Sequence, residues 1–242
     1  MAKKFLTGEW RKLIMANYAI EPSALLPLLP AHTELDFYND KCYISLVGFM
    51  FLGTRVLGIP VPFHQNFEEV NLRFYVRHRT DDGEWRRGVV FVREIVPKRA
   101  IAWVANALFG EHYMRLPMRH QWASDTDQIK VSYDWQFNQQ WQSMRVTAEA
   151  VGQNLVENSE EEFITEHYWG YTRLSDRKTS QYQVEHPSWQ WHKILDYDIN
   201  CDAAQLYGAA FGEAMQSPPT SIFLAEGSPI IVRMGEKINR KI

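Results

Sequence analysis

The clearest pattern in this chain runs from Glu68 to His78. Glu69, Asn71, Arg73, Tyr75 and Arg77 fall on one side of an extended strand, and Glu68, Val70, Leu72, Phe74, Val76 and His78 on the other. A charged turn at Asp81-Asp82-Gly83 and a second β-rich run, GVVFVREIV, complete a hairpin. The period then changes. Ile101, Val104, Ala105 and Leu108 recur at helical spacing over 97–109, and Gly110 supplies a stop.

Similar reasoning predicts the remaining elements. A strand is expected over 10–20, then a short helix opened by Pro22 and ended by Pro27 and Pro30. Residues 34–37 and 41–52 flank a hairpin turn at Asn39-Asp40, and the Gly- and Pro-rich stretch 53–62 reads as a loop. Three strands are expected over 113–122, 128–138 and 143–151. Ser159 and Glu162 form a capping box ahead of a helix over 160–166. A hairpin over 168–174 and 180–184, a helix from Asp202 to Met215 and a closing hairpin around Glu226-Gly227-Ser228 finish the chain. No repeat or linker divides it. The pattern predicts one α+β domain over 1–242, predominantly antiparallel β, arranged as a barrel or sandwich with a few packed helices.

Composition supports that picture and removes several function classes. Of 242 residues, 45% are hydrophobic and 14% aromatic, including nine Trp, which suits a β-rich core with room for a lined cavity. The net charge of −3 and the lack of a basic block exclude a nucleic-acid footprint. No apolar run approaches the ~20 residues of a membrane span, and the N-terminus lacks a signal-peptide core. Cys42 and Cys201 stand apart, outside any CxxC or Cys/His cluster, as in reduced cytoplasmic proteins. No metal-ligand spacing, nucleophile elbow or phosphate loop occurs, so neither a metal nor another cofactor is expected.

Two constellations carry chemistry. Lys98-Arg99 places an amine beside a second cation near a helix start, a setting that lowers a lysine's pKa and suits imine formation; the simpler reading is that both side chains are solvated at this exposed corner. Glu69 and Arg73 share the polar strand face, ~13 Å apart along the strand. They serve either two ends of one ligand or ladders on a wet outer surface, and spacing alone favours the surface.

The order WRKLIMANYAIEPSALLPLLP, FEEVNLRFYVR, GVVFVREIV, AIAWVANALFGEHYM resembles the YqjF-like family of uncharacterised bacterial proteins, the DUF2071 domain, which is grouped with the acetoacetate decarboxylase-like fold. The resemblance is strong to about Met118 and looser through FITEHYWGYTRL and the aromatic segment near Trp189. It implies a barrel-like sheet with a pocket. Arg11 stands where the decarboxylases carry an active-site arginine, and Glu69 before Val70 matches their active-site glutamate. Ala100-Ile101-Ala102 and Gly110 match the helix before their Schiff-base lysine. The chain then reads Glu111-His112-Tyr113-Met114-Arg115, and no lysine follows. A guanidinium cannot replace it, because it stays protonated.

The resulting expectation is a polar pocket lined by Arg11, Glu69, Arg73, His112 and Tyr113 that binds a small anionic metabolite, a carboxylate or keto acid, without Schiff-base decarboxylation. Glu69 would be the acid/base if the protein is an enzyme. The alternatives are a protein–protein interaction domain and a lyase using Lys98. The sequence leaves a homo-oligomer open.

Overall fold

The structure, a computed structural model, describes residues 2–98 and 112–239. From Arg99 onward, the helix expected over 97–109 and its Gly110 stop lie outside these residues. The strands are β1 (Lys4–Ile20), β2 (Glu34–Leu35), β3 (Cys42–Val56), β4 (Ile59–Pro60), β5 (Phe67–Arg79), β6 (Trp85–Val96), β7 (Tyr113–Arg115) and β8 (Met118–Ser124). They continue with β9 (Gln128–Phe137), β10 (Gln140–Glu149), β11 (Trp169–Ser175), β12 (Lys178–Glu185), β13 (Trp191–Asn200), β14 (Ser221–Arg233) and β15 (Glu236–Asn239). Four short helices, α1 (Pro22–Leu25), α2 (Glu160–Thr165), α3 (Ala203–Tyr207) and α4 (Ala209–Ala214), join them among the described residues. None of these is long and apolar enough to cross a membrane.

The sheet closes on itself. The path β12-β11-β6-β5-β3-β1-β14 returns to β12 through Val184↔Val232 and Glu185↔Ile231, which makes a barrel. Every pairing in the ring is antiparallel except β6–β11, where Trp169 lies beside Gly88. Only a glycine permits that approach, since a Cβ at Gly88 would meet Trp169 O at 2.4 Å. Beyond β14 the sheet continues through β13, β10, β9 and β8, which pack against the outside of the barrel.

Two cores follow from this arrangement. The outer one joins Ile14, Leu46, Leu72 and Phe74 from the barrel wall to Tyr133, Trp135 and Met144 of the second sheet and to Leu206 and Phe211 of α3 and α4. The inner one lies inside the ring and includes Leu13, Val47, Phe49, Phe51, Phe67, Tyr75 and Phe223. β3 borders both, which explains why Cys42 to Phe51 are all buried and apolar except for Ser45: a strand covered on both faces has no wet side.

Several sequence expectations are corrected. The segment 53–62 is no loop, because β3 runs on to Val56 and turns through Leu57-Gly58 onto β4. The Asn39-Asp40 turn exists, both residues having positive φ, but only the Tyr38–Lys41 bridge closes it. The preceding β2 pairs with β5 instead. β7 and β8 divide the strand expected over 113–122, with Leu116-Pro117 between them. Gly208, at φ 115°, splits the expected 202–215 helix into α3 and α4. Glu226-Gly227-Ser228 is not a turn, and β14 passes straight through it. Gly227 is required there because a Cβ would lie 2.0 Å from Trp10 O on the neighbouring strand. The strand β13 was not anticipated. The capping box is present: Ser159 Oγ accepts a hydrogen bond from Glu162 N at 3.1 Å.

Candidate functional site

The barrel encloses a cavity of about 230 Å³, lined from β1, β3, β5, β6, β11, β12 and β14. Most of its wall is apolar. One polar strip crosses it, made of Glu69, Asn71 and Arg73 on β5, Glu94 on β6, Tyr113 on β7 and His167 after α2. The strip exists because β5 alternates. Val70, Leu72, Phe74 and Val76 face the outer core, so their neighbours face inward. Glu69 and Asn71 are 2% exposed and Arg73 is 9% exposed, so this polar face is an interior wall rather than a surface.

Glu69 is the centre of the strip. Asn71 Nδ2 donates to its Oε1 at 2.9 Å, and Tyr113 OH donates to its Oε2 at 3.2 Å. Burial pushes its pKa up to about 7, although both hydrogen bonds and the Arg73 charge pull the other way. Tyr113 also hydrogen-bonds Glu94, and burial followed by the two carboxylates holds its phenol neutral. Arg73 donates to Ile164 O at 3.1 Å, while its Nε and Asn71 Oδ1 have no partner among the described residues. Leaving a buried polar atom unpaired costs about 1–3 kcal/mol.

His167 lies on the Arg73 side. Its Nε2 sits 3.2 Å from Asp36 Oδ2, which also accepts from Arg87 Nε at 2.7 Å. Burial lowers the His167 pKa to about 4 against the pull of Asp36, so the ring is neutral at pH 7. The Asp36 pKa is itself lowered: burial raises it, but the hydrogen bonds from His167 and Arg87 outweigh that. With Asp36 ionised, the neutral ring is assigned its proton on Nε2, leaving a bare lone pair on Nδ1.

Of the residues singled out in the sequence, Glu69, Arg73 and Tyr113 meet at the cavity, whereas Arg11 and His112 do not line it. A β-bulge explains Arg11. Trp10 faces inward, Arg11 therefore faces out, and Lys12 and Leu13 together oppose Phe49 with Lys12 at φ 54°. Arg11 instead donates to Glu9 Oε2 at 2.7 Å and to Gly227 O at 3.4 Å. His112 is exposed and lends its carbonyl to Glu94 N at 3.3 Å. Lys98 is half-buried and is absent from the described wall. Sequence reasoning missed Glu94 and His167. In β6 the register steps from Leu72↔Arg93 to Arg73↔Phe91, and the extra Val92 turns Glu94 inward; simple alternation puts it on the face opposite Phe91. His167 follows a helix end, where no period applies. Among the described residues, no group of three or more His, Cys, Asp or Glu is placed to hold a metal ion.

Comparison with solved structures gives the fold. The acetoacetate decarboxylase of Legionella pneumophila superposes with a TM-score of 0.67 at 10% identity, covering 98% of this chain and 88% of that one. An acetoacetate decarboxylase-like enzyme from Sphingomonas wittichii RW1 gives 0.66 at 11% identity, covering 98% and 94%. The enduracididine biosynthesis enzyme MppR, complexed with the condensation product of pyruvate and imidazole 4-carboxaldehyde, gives 0.64 at 10% identity over 99% and 91%. The chain therefore has the acetoacetate decarboxylase-like fold; identity this low says nothing of the reaction. In sequence, 75 residues are 36% identical to the uncharacterized protein YqjF of Bacillus subtilis (strain 168). That match spans 31% of this chain and 31% of the relative's own length. The model of the DUF2071 family of uncharacterized conserved proteins matches residues 7–229, and the chain belongs to that family.

Proposed function

We propose that the barrel binds a small anionic metabolite, a carboxylate or keto acid, at the strip formed by Glu69, Asn71 and Arg73. The observation that carries this reading is the burial of Arg73 in a mostly apolar cavity with its Nε unpaired among the described residues. A guanidinium there gains most from a ligand carboxylate, through charge-assisted hydrogen bonds in a low-dielectric site. The solved MppR complexed with pyruvate, at 10% identity and a TM-score of 0.62, is consistent with this ligand class on this fold.

Glu69 is the group to move a proton. A carboxyl whose pKa is about 7 populates both forms near neutrality, as a general acid/base must. Asn71 and Tyr113 fix its orientation by donating to separate oxygens. Schiff-base decarboxylation is not part of the proposal. It needs an amine on the cavity wall; the described wall holds no lysine, and 99–111 contains none. Cys42 and Cys201 are both free thiols, which fits a reducing, cytoplasmic setting.

A panel of small carboxylic and keto acids tests the reading by thermal shift. A true ligand at a hundredfold excess over its Kd raises Tm by about 5 °C or more, and Arg73→Met removes the shift. No shift across the panel at millimolar concentration sinks the proposal. Borohydride with acetoacetate is expected to add no mass; labelling of the Lys98 peptide would restore the imine mechanism.

A further inference from the structure

We infer that the ligand is an acid carrying a planar aromatic ring, an aryl keto acid or aryl carboxylate, rather than a short-chain acid. This rests on the proposed binding of an acid at Arg73 and adds what occupies the rest of the cavity.

Strand register divides the barrel interior into layers. Phe67 pairs with Phe51, and Phe51 with Trp10, in one layer. Glu69 with Phe49 forms the next, then Asn71 with Val47, then Arg73 with Ser45. Arg73 and the Phe67 layer are thus about 20 Å apart along the β5 backbone at ~3.3 Å per residue, but the inward side chains shorten the gap, and the Arg73 charge acts on both Glu69 and His186 of the ring cluster. Beyond Arg73 the interior is occupied by a hydrogen-bonded cluster: Ser45 Oγ donates to Asn17 Oδ1 at 2.6 Å and lies 2.5 Å from Tyr75 OH. At the opposite end, Val61 and His64 from the segment before β5 contribute to the wall.

Aromatic rings cluster beside Glu69 on the side away from Arg73, among aliphatic residues such as Leu6, Val56 and Val232. Trp189 stacks on His186 with centroids 4.3 Å apart and 22° between planes. Trp10 meets Trp189 edge-on at 6.2 Å, Phe49 at 5.5 Å and Phe51 at 5.9 Å. Phe51 in turn stacks on Phe67 at 4.7 Å. All six rings line the cavity. Burial lowers the His186 pKa, so this ring stacks as a neutral aromatic and contributes no standing positive charge.

An aromatic box next to a proton-carrying carboxyl, with a guanidinium farther in, matches a molecule with three parts in that order. A ring fills the box by offset or edge contacts, a functional carbon sits by Glu69, and an acid group reaches Arg73. A short acid held at Arg73 leaves the box uncovered and forfeits its dispersion and burial energy. The cavity has room for more than solvent: its volume of about 230 Å³ is many times the ~10–15 Å³ that one water needs by the same kind of measure.

Calorimetric titration of the intact protein with phenylpyruvate, pyruvate and phenethylamine decides the matter. Phenylpyruvate is expected to bind at least about tenfold more tightly than pyruvate, the worth of burying one ring. Trp189→Leu, with Phe51→Leu as a second variant should the first fold poorly, is expected to bring the two acids within about twofold of each other. Arg73→Met is expected to weaken both acids together. Equal affinity of the two acids in the natural protein, or a preference that survives both ring substitutions, overturns the aromatic inference alone. Failure of both acids to bind overturns the acid-binding proposal with it. Tighter binding of phenethylamine than of phenylpyruvate replaces both with a cation cage.

Discussion

The two faces of β5 come from alternate residues of one 13-residue strand and meet different surroundings. Outward, Val70, Leu72, Phe74 and Val76 are all 0% exposed and pack against the second sheet. Inward, Glu69, Asn71 and Arg73 are nearly as buried, yet they face a cavity, and Asn71 Oδ1 and Arg73 Nε have no partner among the described residues. One face gains stability from burial; the other gives up some of that gain by burying polar groups with incomplete hydrogen bonding. The comparison teaches that burial alone does not mark a core. What separates the two faces is that one meets packed side chains and the other meets a cavity.

The comparison breaks most directly at Phe74. Phe74→Ala is expected to cost about 4 kcal/mol, because a ring is removed from a packed layer between Ile44 on β3 and Val90 on β6 and leaves a void. Urea unfolding measures it as a shift of the midpoint at constant slope. A loss below about 1 kcal/mol would mean the outer face is no better packed than the inner one.

The second prediction concerns acid and belongs to the inner face. His167 is neutral in the fold with a pKa of about 4, against about 6.5 when unfolded. A lowered histidine favours the unfolded chain as protons bind, so its contribution is intact above pH 6.5 and is lost as pH falls toward 4. About 3 kcal/mol should go between pH 7 and pH 4. In His167→Gln that part of the acid sensitivity should vanish, while the part due to Asp36, whose pKa is lowered, appears only at still lower pH. Stability curves of the two proteins that remain parallel down to pH 4 would remove His167 from the inner charge balance.

How much of this was legible beforehand follows from the backbone. The period of β5 and the apolar run of β3 were readable because both strands are regular where they matter, and a regular strand sorts its side chains by parity. Parity fails at bulges. The extra residue in β1 turned Arg11 out of the barrel, and the extra residue in β6 turned Glu94 in, although nothing in either local sequence announces an inserted residue. Gly227 misled for a related reason. A glycine flanked by polar residues has the composition of a turn, but here it admits the Trp10 carbonyl of the adjacent strand. The family resemblance picks out Glu69, which lines the cavity, together with Arg11, which does not, because motif order records position along a strand and not the side to which it points.

The finest test of the two faces is Glu69→Gln, which keeps the shape and removes the charge. Glu69 has a folded pKa of about 7, above its unfolded value near 4.3. A raised carboxyl contributes its stability below the unfolded pKa and loses it as pH rises through the folded one. The natural protein should therefore lose about 2 kcal/mol between pH 5 and pH 8 from this group alone. That trend opposes the one from His167, so the two nearly cancel over pH 4.5–6.5 and the whole protein shows a broad plateau. Removing Glu69 exposes the histidine slope: Glu69→Gln should be more stable than the natural protein at pH 8 and gain little at pH 5. The same substitution reads the site. An anion bound beside Glu69 favours its protonated form, so acid binding should weaken as pH rises through about 7 in the natural protein and stay flat in the variant. Unchanged pH dependence of both stability and binding in Glu69→Gln would place the titrating group elsewhere and return the inner face to ordinary core.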